Sequence, residues 1–164
     1  MVTSDLVMYE EEFKRIDDEL QNLRAQANAS VVFLVDKNGQ LIASAGDTQD
    51  VDTTSLASLT AGNIAATGGI AKLLGEEEFT ILFHEGAKDN INISLVGSRV
   101  ILAVIFDSRS SIGLVRLRVK KATETLARIF DEIAGKAQSE RTAGKGEESP
   151  FSEISDDDID SLFR

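Results

Sequence analysis

The sequence predicts an α+β sandwich with a five-stranded, mostly antiparallel sheet, covered by two helices on one face and one on the other. Two long segments, near the start and towards the end, repeat apolar residues at steps of three and four, as amphipathic helices do. Five short apolar or alternating runs, bounded by Gly and Asn, read as strands. The predicted order is helix, two strands, helix, three strands, helix, a set of elements that can bury one core between layers.

The composition indicates a single domain with an acidic tail. Of the 164 residues, 42% are hydrophobic, enough for one substantial core, which we expect over residues 1–136, followed by a flexible acidic tail over 137–164. The net charge of -11 argues against nonspecific nucleic-acid binding and against attraction to anionic lipid. With no cysteine, signal peptide or membrane-spanning run in view, we expect a cytoplasmic protein without membrane insertion.

The first helix is predicted to begin at a cap, Ser4 or Asp5, and to end near Ala27. Its charged residues are expected to face water. Its apolar residues share one stripe: Leu6, Tyr9, Phe13, Ile16, Leu20, Leu23 and Ala27.

The five predicted strands cover residues 30–36, 40–45, 79–85, 91–95 and 100–106. Asn38-Gly39 favours the positive φ angles of a tight hairpin turn between the first two strands. In the fourth strand, Asn92 and Ser94 alternate with apolar residues and predict a wet or partner-facing side. We expect the third strand to be a free edge of the sheet and a place for association.

The middle helix, from a cap at Asp52 or Thr53 to a stop at Gly75, has an unusual composition. Its predicted apolar stripe is Leu56, Leu59, Ile70 and Leu73. Gly62, Gly68 and Gly69 each cost roughly 1 kcal/mol relative to alanine inside a helix. We interpret the bare side that these small residues leave as a soluble contact surface for another protein; the alternative is a helix lying close against its own sheet.

The last helix is predicted from caps in residues 108–111 to an end near Gly135. The far end of the tail combines acidic residues with apolar anchors, which is typical of a segment that folds when it docks in a groove. These candidate partner-binding residues are Phe151, Ile154, Ile159, Leu162 and Phe163. The alternative is a purely solubilising tail.

Catalytic and metal-binding chemistry has little support in this sequence. The single histidine, His84, adjoins Glu85 on a predicted strand, where neighbours point to opposite faces, so the pair does not form an obvious dyad. Gly68-Gly69 follows no strand and lacks the Gly-Lys-Ser/Thr ending of a phosphate loop. We therefore expect no autonomous enzyme, no metal and no cofactor.

Residues 30–46, Ser-Val-Val-Phe-Leu-Val-Asp-Lys-Asn-Gly-Gln-Leu-Ile-Ala-Ser-Ala-Gly, resemble the opening hairpin of roadblock proteins, the dynein light chain and GTPase-regulator family. The small-residue helix, the three following strands and the closing helix also fit, so the resemblance covers about residues 4–136. It implies a roadblock/profilin-like fold and a homodimer in which third strands join and central helices lie side by side.

The resemblance further implies a function as a GTPase activator. Two copies would hold one small Ras-like GTPase in its GTP-bound state and raise its hydrolysis rate without an arginine finger, in control of cell polarity and motility, with enrichment at a cell pole. Carried to this sequence, the partner surface includes Ala61, Ala65, Gly68 and Lys72. Arg109 is the one place to look for a finger, but an exposed solubilising or helix-start residue is the favoured interpretation. The alternatives are a noncatalytic dimeric scaffold of a motor or GTPase complex, or a small-ligand sensor.

Overall fold

The structure, a computed structural model, describes residues 10–144. Its elements follow the predicted order: α1 (Glu10–Ala27), β1 (Val31–Asp36), β2 (Leu41–Gly46), α2 (Thr53–Leu73), β3 (Ile81–Glu85), β4 (Asn90–Val96), β5 (Val100–Phe106) and α3 (Ile112–Gly144). One compact unit spans Met8–Phe130, and α3 from Asp131 onward belongs to a second. The predicted cap of the first helix and the apolar anchors of the tail lie outside the described residues.

The five strands form one sheet in the order β2-β1-β5-β4-β3. Every pairing is antiparallel, including that of β1 with β5, which matches Val31 to Ile105 at one end and Asp36 to Val100 at the other. Local hairpins supply the β1–β2, β3–β4 and β4–β5 contacts, whereas the β1–β5 pair closes the long α2-containing connection. β3 lies at an edge of the sheet, as predicted.

The sheet is covered by two helices on one face and one on the other, as predicted. Because side chains alternate along a strand, Phe33, Ile101 and Ile93 share the α2 face, where they pack with Ala57 and Ala61 of that helix. The opposite face is covered by the apolar sides of α1 and α3. The buried residues on those sides include Ile16, Leu20 and Leu23 of α1 and Val115, Val119 and Leu126 of α3.

The predicted wet side of the fourth strand is wrong. Asn92 is 1% exposed and Ser94 is also buried. The two side chains satisfy each other in part, because Ser94 Oγ donates to Asn92 Oδ1 at 3.0 Å. The predicted alternation is present in β4, but the helices on this face cover polar as well as apolar residues.

The predicted turn at Asn38-Gly39 also differs. Gly39 has a φ of 91°, but Asn38 is not among the described residues with positive φ. Asp36 organises the turn instead: its Oδ1 accepts from the backbone N of Asn38 and of Gln40, at 2.9 and 3.0 Å. A register shift between Leu34 and Val35 accompanies this wider turn.

The last helix continues past its predicted end at Gly135 and reaches Gly144. Residues 136–143 are mostly good helix formers, and one glycine costs only roughly 1 kcal/mol inside a helix. The start of the flexible tether predicted from residue 137 is therefore helical up to Gly144.

Candidate functional site

Helix α2 begins and ends where the sequence predicts. Asp52 caps its first turn, since Oδ1 accepts from the backbone N of Ser55 at 3.1 Å and Oδ2 from Ser55 Oγ at 2.6 Å. These hydrogen bonds, the side-chain one above all, hold the pKa of Asp52 below its ordinary value. At the other end, the backbone N of Glu76 donates to Ala71 O at 2.9 Å just past Gly75.

The predicted apolar stripe of α2 does not face the core. Leu59, Ile70 and Leu73 are 71%, 52% and 88% exposed, and Leu56 alone of the four packs partly against the core. The side that is buried consists of small residues: Ala57, Thr60, Ala61 and Ala71. Small side chains let the helix axis lie close to the sheet, which leaves the bulky residues pointing outward.

The alternative interpretation, a helix lying close against its own sheet, applies to some of the small residues, and the contact surface for another protein stays a prediction. Ala57, Ala61 and Ala71 bring the helix against its own sheet. A Cβ added at Gly62, Gly68 or Gly69 would meet nothing within 4 Å, so these glycines border open space. The open positions are available to another molecule.

The four predicted partner-binding residues of α2 line one groove of about 470 Å³. Ala65, Gly68 and Lys72 form part of its wall, while Ala61, 8% exposed, belongs to the core and lies at its base rather than on a free surface. The remaining lining residues are Lys37, Ile64, Gly69, Glu77, Glu78 and Phe79. The groove thus runs along α2 between the β1–β2 turn and the segment before β3.

The far wall of the groove was not predicted from the sequence. Lys37 Nζ lies 3.8 Å from Glu78 Oε2, so one ion pair joins the β1–β2 turn to the segment before β3. Its two side chains are about 40% exposed, and such surface pairs contribute roughly 0–1 kcal/mol. The backbone N of Lys37 also donates to Arg99 O at 3.2 Å, which brings the β4–β5 turn beside the groove.

Arg109 lies at the other end of the sheet from the groove. Arg109 follows the carboxyl end of β5, which lies next to the start of β1. Lys37 follows the end of β1 and Arg99 precedes the start of β5, so both lie at the groove end of the sheet. Its Nε and Nη2 donate to the two oxygens of Asp107 at 3.0 Å each, and Nη2 also donates to Ser30 Oγ at 3.3 Å. The Arg109 side chain holds the pKa of Asp107 below its ordinary value by these hydrogen bonds.

His84 joins the edge strand to α2. Its Nε2 lies 3.0 Å from Nδ2 of Asn63, and both groups face the α2 side of the sheet. Glu85 points to the other face, so the pair does not form an acid–base dyad, as expected from the alternation. Within residues 10–144 no group of three or more His, Cys, Asp or Glu residues is placed to hold a metal ion.

The described part of the chain contains no helix that is both long and apolar enough to cross a membrane. It also shows no nucleophile–base arrangement at the groove, whose charged groups are two lysines and two glutamates. The site can bind another surface through shape, apolar contact and charge.

The sequence pattern of the Roadblock/LC7 domain family matches residues 15–106, and the chain belongs to this family. Among solved structures it is similar to Myxococcus xanthus MglB, at 66% identity over 78% of this chain and 96% of that chain, with a TM-score of 0.74. No curated protein sequence matches the chain significantly.

Two further structures are also similar. One, described as MglB with tetrameric arrangement, is 32% identical over 80% of this chain and 99% of that one, with a TM-score of 0.76. The other, the gliding protein MglB from Thermus thermophilus, is 33% identical over 80% of this chain and 99% of that one, with a TM-score of 0.75.

Proposed function

We propose that this protein is a GTPase activator for a small Ras-like GTPase that controls cell polarity and motility. Two copies form a homodimer that holds one GTPase in its GTP-bound state, and the protein itself is not an enzyme. The similarity to M. xanthus MglB across 96% of that chain supports this function, since roadblock proteins include GTPase regulators. The similarity to an MglB of tetrameric arrangement supports self-association. We expect the protein in the cytoplasm, enriched at a cell pole.

The observation that carries the proposal is the groove along α2. It gathers Ala65, Gly68 and Lys72 on an open surface, with Ala61 at the base. No side chain fills the space beside Gly68 and Gly69, so the backbone of a partner loop can approach α2 closely. Lys72, in the last turn of α2, is not ion-paired to any described residue and can receive a carboxylate of the GTPase.

Activation is proposed to be indirect. An activator can stabilise the transition state of phosphoryl transfer either by inserting an arginine or by positioning groups that the GTPase already owns. Arg109 is tied to Asp107 at the end of the sheet away from the groove, which favours the second route. The protein would then bind through the groove and reshape the GTPase so that its own arginine and glutamine reach the phosphate and the attacking water.

The decisive experiment is single-turnover GTP hydrolysis by the cognate GTPase with and without this protein. We expect a large acceleration that Gly68→Arg removes, because the long side chain would fill the groove. Gly68 borders open space within its own chain, so the variant should remain folded, which its thermal unfolding checks. Gly113→Arg is the matched control, since Gly113 of α3 also borders open space but lies away from α2; it should activate normally.

Two outcomes would contradict the proposal. Tight GTPase binding without acceleration would make the protein a noncatalytic scaffold subunit, the alternative function. Unchanged acceleration of GTP hydrolysis by the Gly68→Arg variant would show that the groove does not take part in activation.

The tail is proposed to act on the same GTPase. Its apolar residues Phe151, Ile154, Ile159, Leu162 and Phe163, set among acidic residues, suit docking on a partner and adjusting its affinity or nucleotide release. Deleting residues 147–164 should change GTPase affinity or nucleotide exchange, measured by fluorescence with labelled nucleotide. Unchanged values for both would leave the tail as a solubilising segment.

A further inference from the structure

The outward side of α3 carries a patch of positive charge on an otherwise acidic protein. Residues 108–123 contain five basic residues and no acidic one, whereas the whole chain has a net charge of -11. We define the basic face as Arg116, Leu117, Lys120 and Lys121. Steps of three and four residues bring its members together on the surface of the helix, and all four are exposed. Like charges four residues apart destabilise a helix, so a bound anionic segment would relieve the repulsion between Arg116 and Lys120.

An apolar side chain lies among these cations. Leu117 is 63% exposed. Gly113 precedes it by one helical turn, and a Cβ added there would meet nothing within 4 Å, so the surface beside the leucine is open. A leucine surrounded by cations suits a segment that presents apolar side chains among carboxylates, because both kinds of contact can form together.

Two of the three cations have no ion-pair partner in the described part of the chain. Burial raises the pKa of Glu19, and Lys121 and Arg128 partly oppose this rise, so Lys121 lies within electrostatic reach of α1. Arg116 and Lys120 form no ion pair with any described residue. Their charges are therefore available to carboxylates from outside the described residues.

The basic face and the groove lie on opposite faces of the sheet. Val115 and Val119 are buried where α3 packs on the sheet, so the exposed residues of the same turns point away from it. The groove runs along α2 on the other face. A GTPase bound in the groove would thus leave the basic face free.

The tail of the chain has the complementary chemistry. Residues 147–163 contain seven acidic residues and no basic one, and they include all five apolar anchors. In a helical turn Ile159, Leu162 and Phe163 would share one side, with aspartates beside them. A membrane surface is a poorer occupant, because the net negative charge of the chain repels anionic lipid.

The tail is long enough to reach the basic face. It follows Gly144, and an extended chain covers about 3.3 Å per residue, so residue 163 can lie as far as about 60 Å from that point. The whole of α3, with 33 residues at about 1.5 Å each, is roughly 50 Å long. Attachment to the same chain also gives the tail a local concentration on the order of millimolar, so a weak contact can be populated.

We propose that, in the protein without its GTPase, residues 147–163 dock on the basic face of α3. Carboxylates of the tail meet Arg116 and Lys120, and an apolar anchor covers Leu117. The docking itself requires no GTPase. Its consequence rests on the proposed function: the docked tail is withheld from the GTPase, and the two sites compete for it.

A spin label on the tail tests the docking in the full-length protein. The chain contains no cysteine, so Ser161→Cys provides a single site for a nitroxide. The amide NMR signals of residues 113–121 should be lost through paramagnetic relaxation and should return when the nitroxide is reduced. The signals of residues 65–72, which belong to the groove side of α2, should remain.

Charge reversal shows whether the basic face causes this signal loss. Arg116→Glu with Lys120→Glu should restore the signals of residues 113–121, because the face would then repel the tail. Both positions are exposed, so this variant should stay folded, which its thermal unfolding checks. Lys72→Glu is the matched control, since it reverses a charge in the groove; its signal loss on α3 should equal that of the labelled parent.

A reciprocal exchange of charges completes the test. Adding Asp156→Lys and Asp158→Lys to the charge-reversed protein exchanges the signs on both sides, so the signal loss on α3 should return. Intact signals of residues 113–121 in the labelled parent would overturn the docking, as would a loss that persists after charge reversal. Loss of the groove signals instead, removed by Lys72→Glu, would place the tail in the groove and also overturn the proposal.

GTPase affinity separates the docking from the proposed function. If the tail acts on the GTPase, freeing it by Arg116→Glu with Lys120→Glu should change the affinity by about threefold, since the competent fraction of tails rises. Unchanged affinity in a variant whose tail is released would contradict the proposed role of the tail on the GTPase. The docking on α3, shown by the relaxation data, would then stand alone.

Discussion

Asn63 Nδ2 and His84 Nε2 lie 3.0 Å apart and form a side-chain link between α2 and the edge strand β3. The Asn63 amide and the His84 imidazole share this hydrogen bond, and the tautomer of the ring sets which group donates. Both residues face the side of the sheet that α2 covers. The link therefore couples the helix that lines the groove to the strand whose outer edge is open.

Removing this link should loosen the edge strand. His84→Ala loses one hydrogen bond of about 1 kcal/mol, so amide exchange in β3 should accelerate by about fivefold relative to β5. His84→Gln is the control, because its side-chain oxygen can accept from Asn63. Equal exchange in the alanine variant and the wild type would show that the bond does not hold the strand.

The hydrogen bonds from Arg109 should be detectable through the pKa of Asp107. Its side-chain hydrogen bonds lower the pKa of Asp107, so Arg109→Ala should raise that pKa towards the ordinary value, measured by carboxyl NMR. A lowered folded-state pKa stabilises the fold above the unfolded-state pKa, and this contribution is lost as pH falls through the folded one. The difference in the free energy of unfolding between the variant and the wild type should thus become smaller below about pH 4. Arg99→Ala, at the other end of the sheet, should leave the titration of Asp107 unchanged.

Neither loop arginine should act as a catalytic finger. Arg99 adjoins the groove through its backbone contact with Lys37, and Arg109 is held by Asp107. An arginine finger contributes on the order of 10³–10⁵ to the rate. Arg99→Ala and Arg109→Ala should each lower stimulated hydrolysis by less than about tenfold, with single-turnover assays as the measurement. A thousandfold loss in either variant would replace the indirect mechanism with direct insertion.

Replacing Gly68 and Gly46 with alanine should change the free energy of unfolding in opposite directions. Gly68 borders open space in a helix, so Gly68→Ala should raise the free energy of unfolding by roughly 0.5–1 kcal/mol. Gly46 has a φ of 106°, and a Cβ there would collide with the backbone oxygen of Ser30, so Gly46→Ala should lower it by more than about 1 kcal/mol. Urea unfolding at one protein concentration compares them; a stabilised Gly46→Ala would contradict the described geometry.

Local sequence patterns were sufficient to predict the helices and strands of this fold. The order of helices and strands, the cap at Asp52, the end of α2 near Gly75 and the edge position of β3 all agree with the sequence-based expectations. Helix and strand periods and caps depend on neighbours within a few residues, which a single sequence displays. The likeness of residues 30–46 to roadblock proteins also led to the correct family.

Tertiary packing decides which side of α2 is buried. Its leucines form the predicted apolar stripe, yet Ala57 and Ala61 are the residues that face the core. The free energy gained by close approach of helix and sheet depends on the shapes of β1, β4 and β5 as well as of α2. Packing of α1 and α3 on the opposite face buries Asn92, and packing on the α2 face places Lys37 and Glu78 across the groove from Lys72.

The sequence by itself therefore determined the fold and the family, and the family resemblance pointed to four of the six residues of α2 that line the groove. Only the tertiary structure decided which side of each helix is buried, that Ala61 is a core residue, and that Leu59, Ile70 and Leu73 are exposed. The physical reason is that periodicity marks the residues sharing a helix face, whereas the face that is buried is set by contacts between residues distant in sequence.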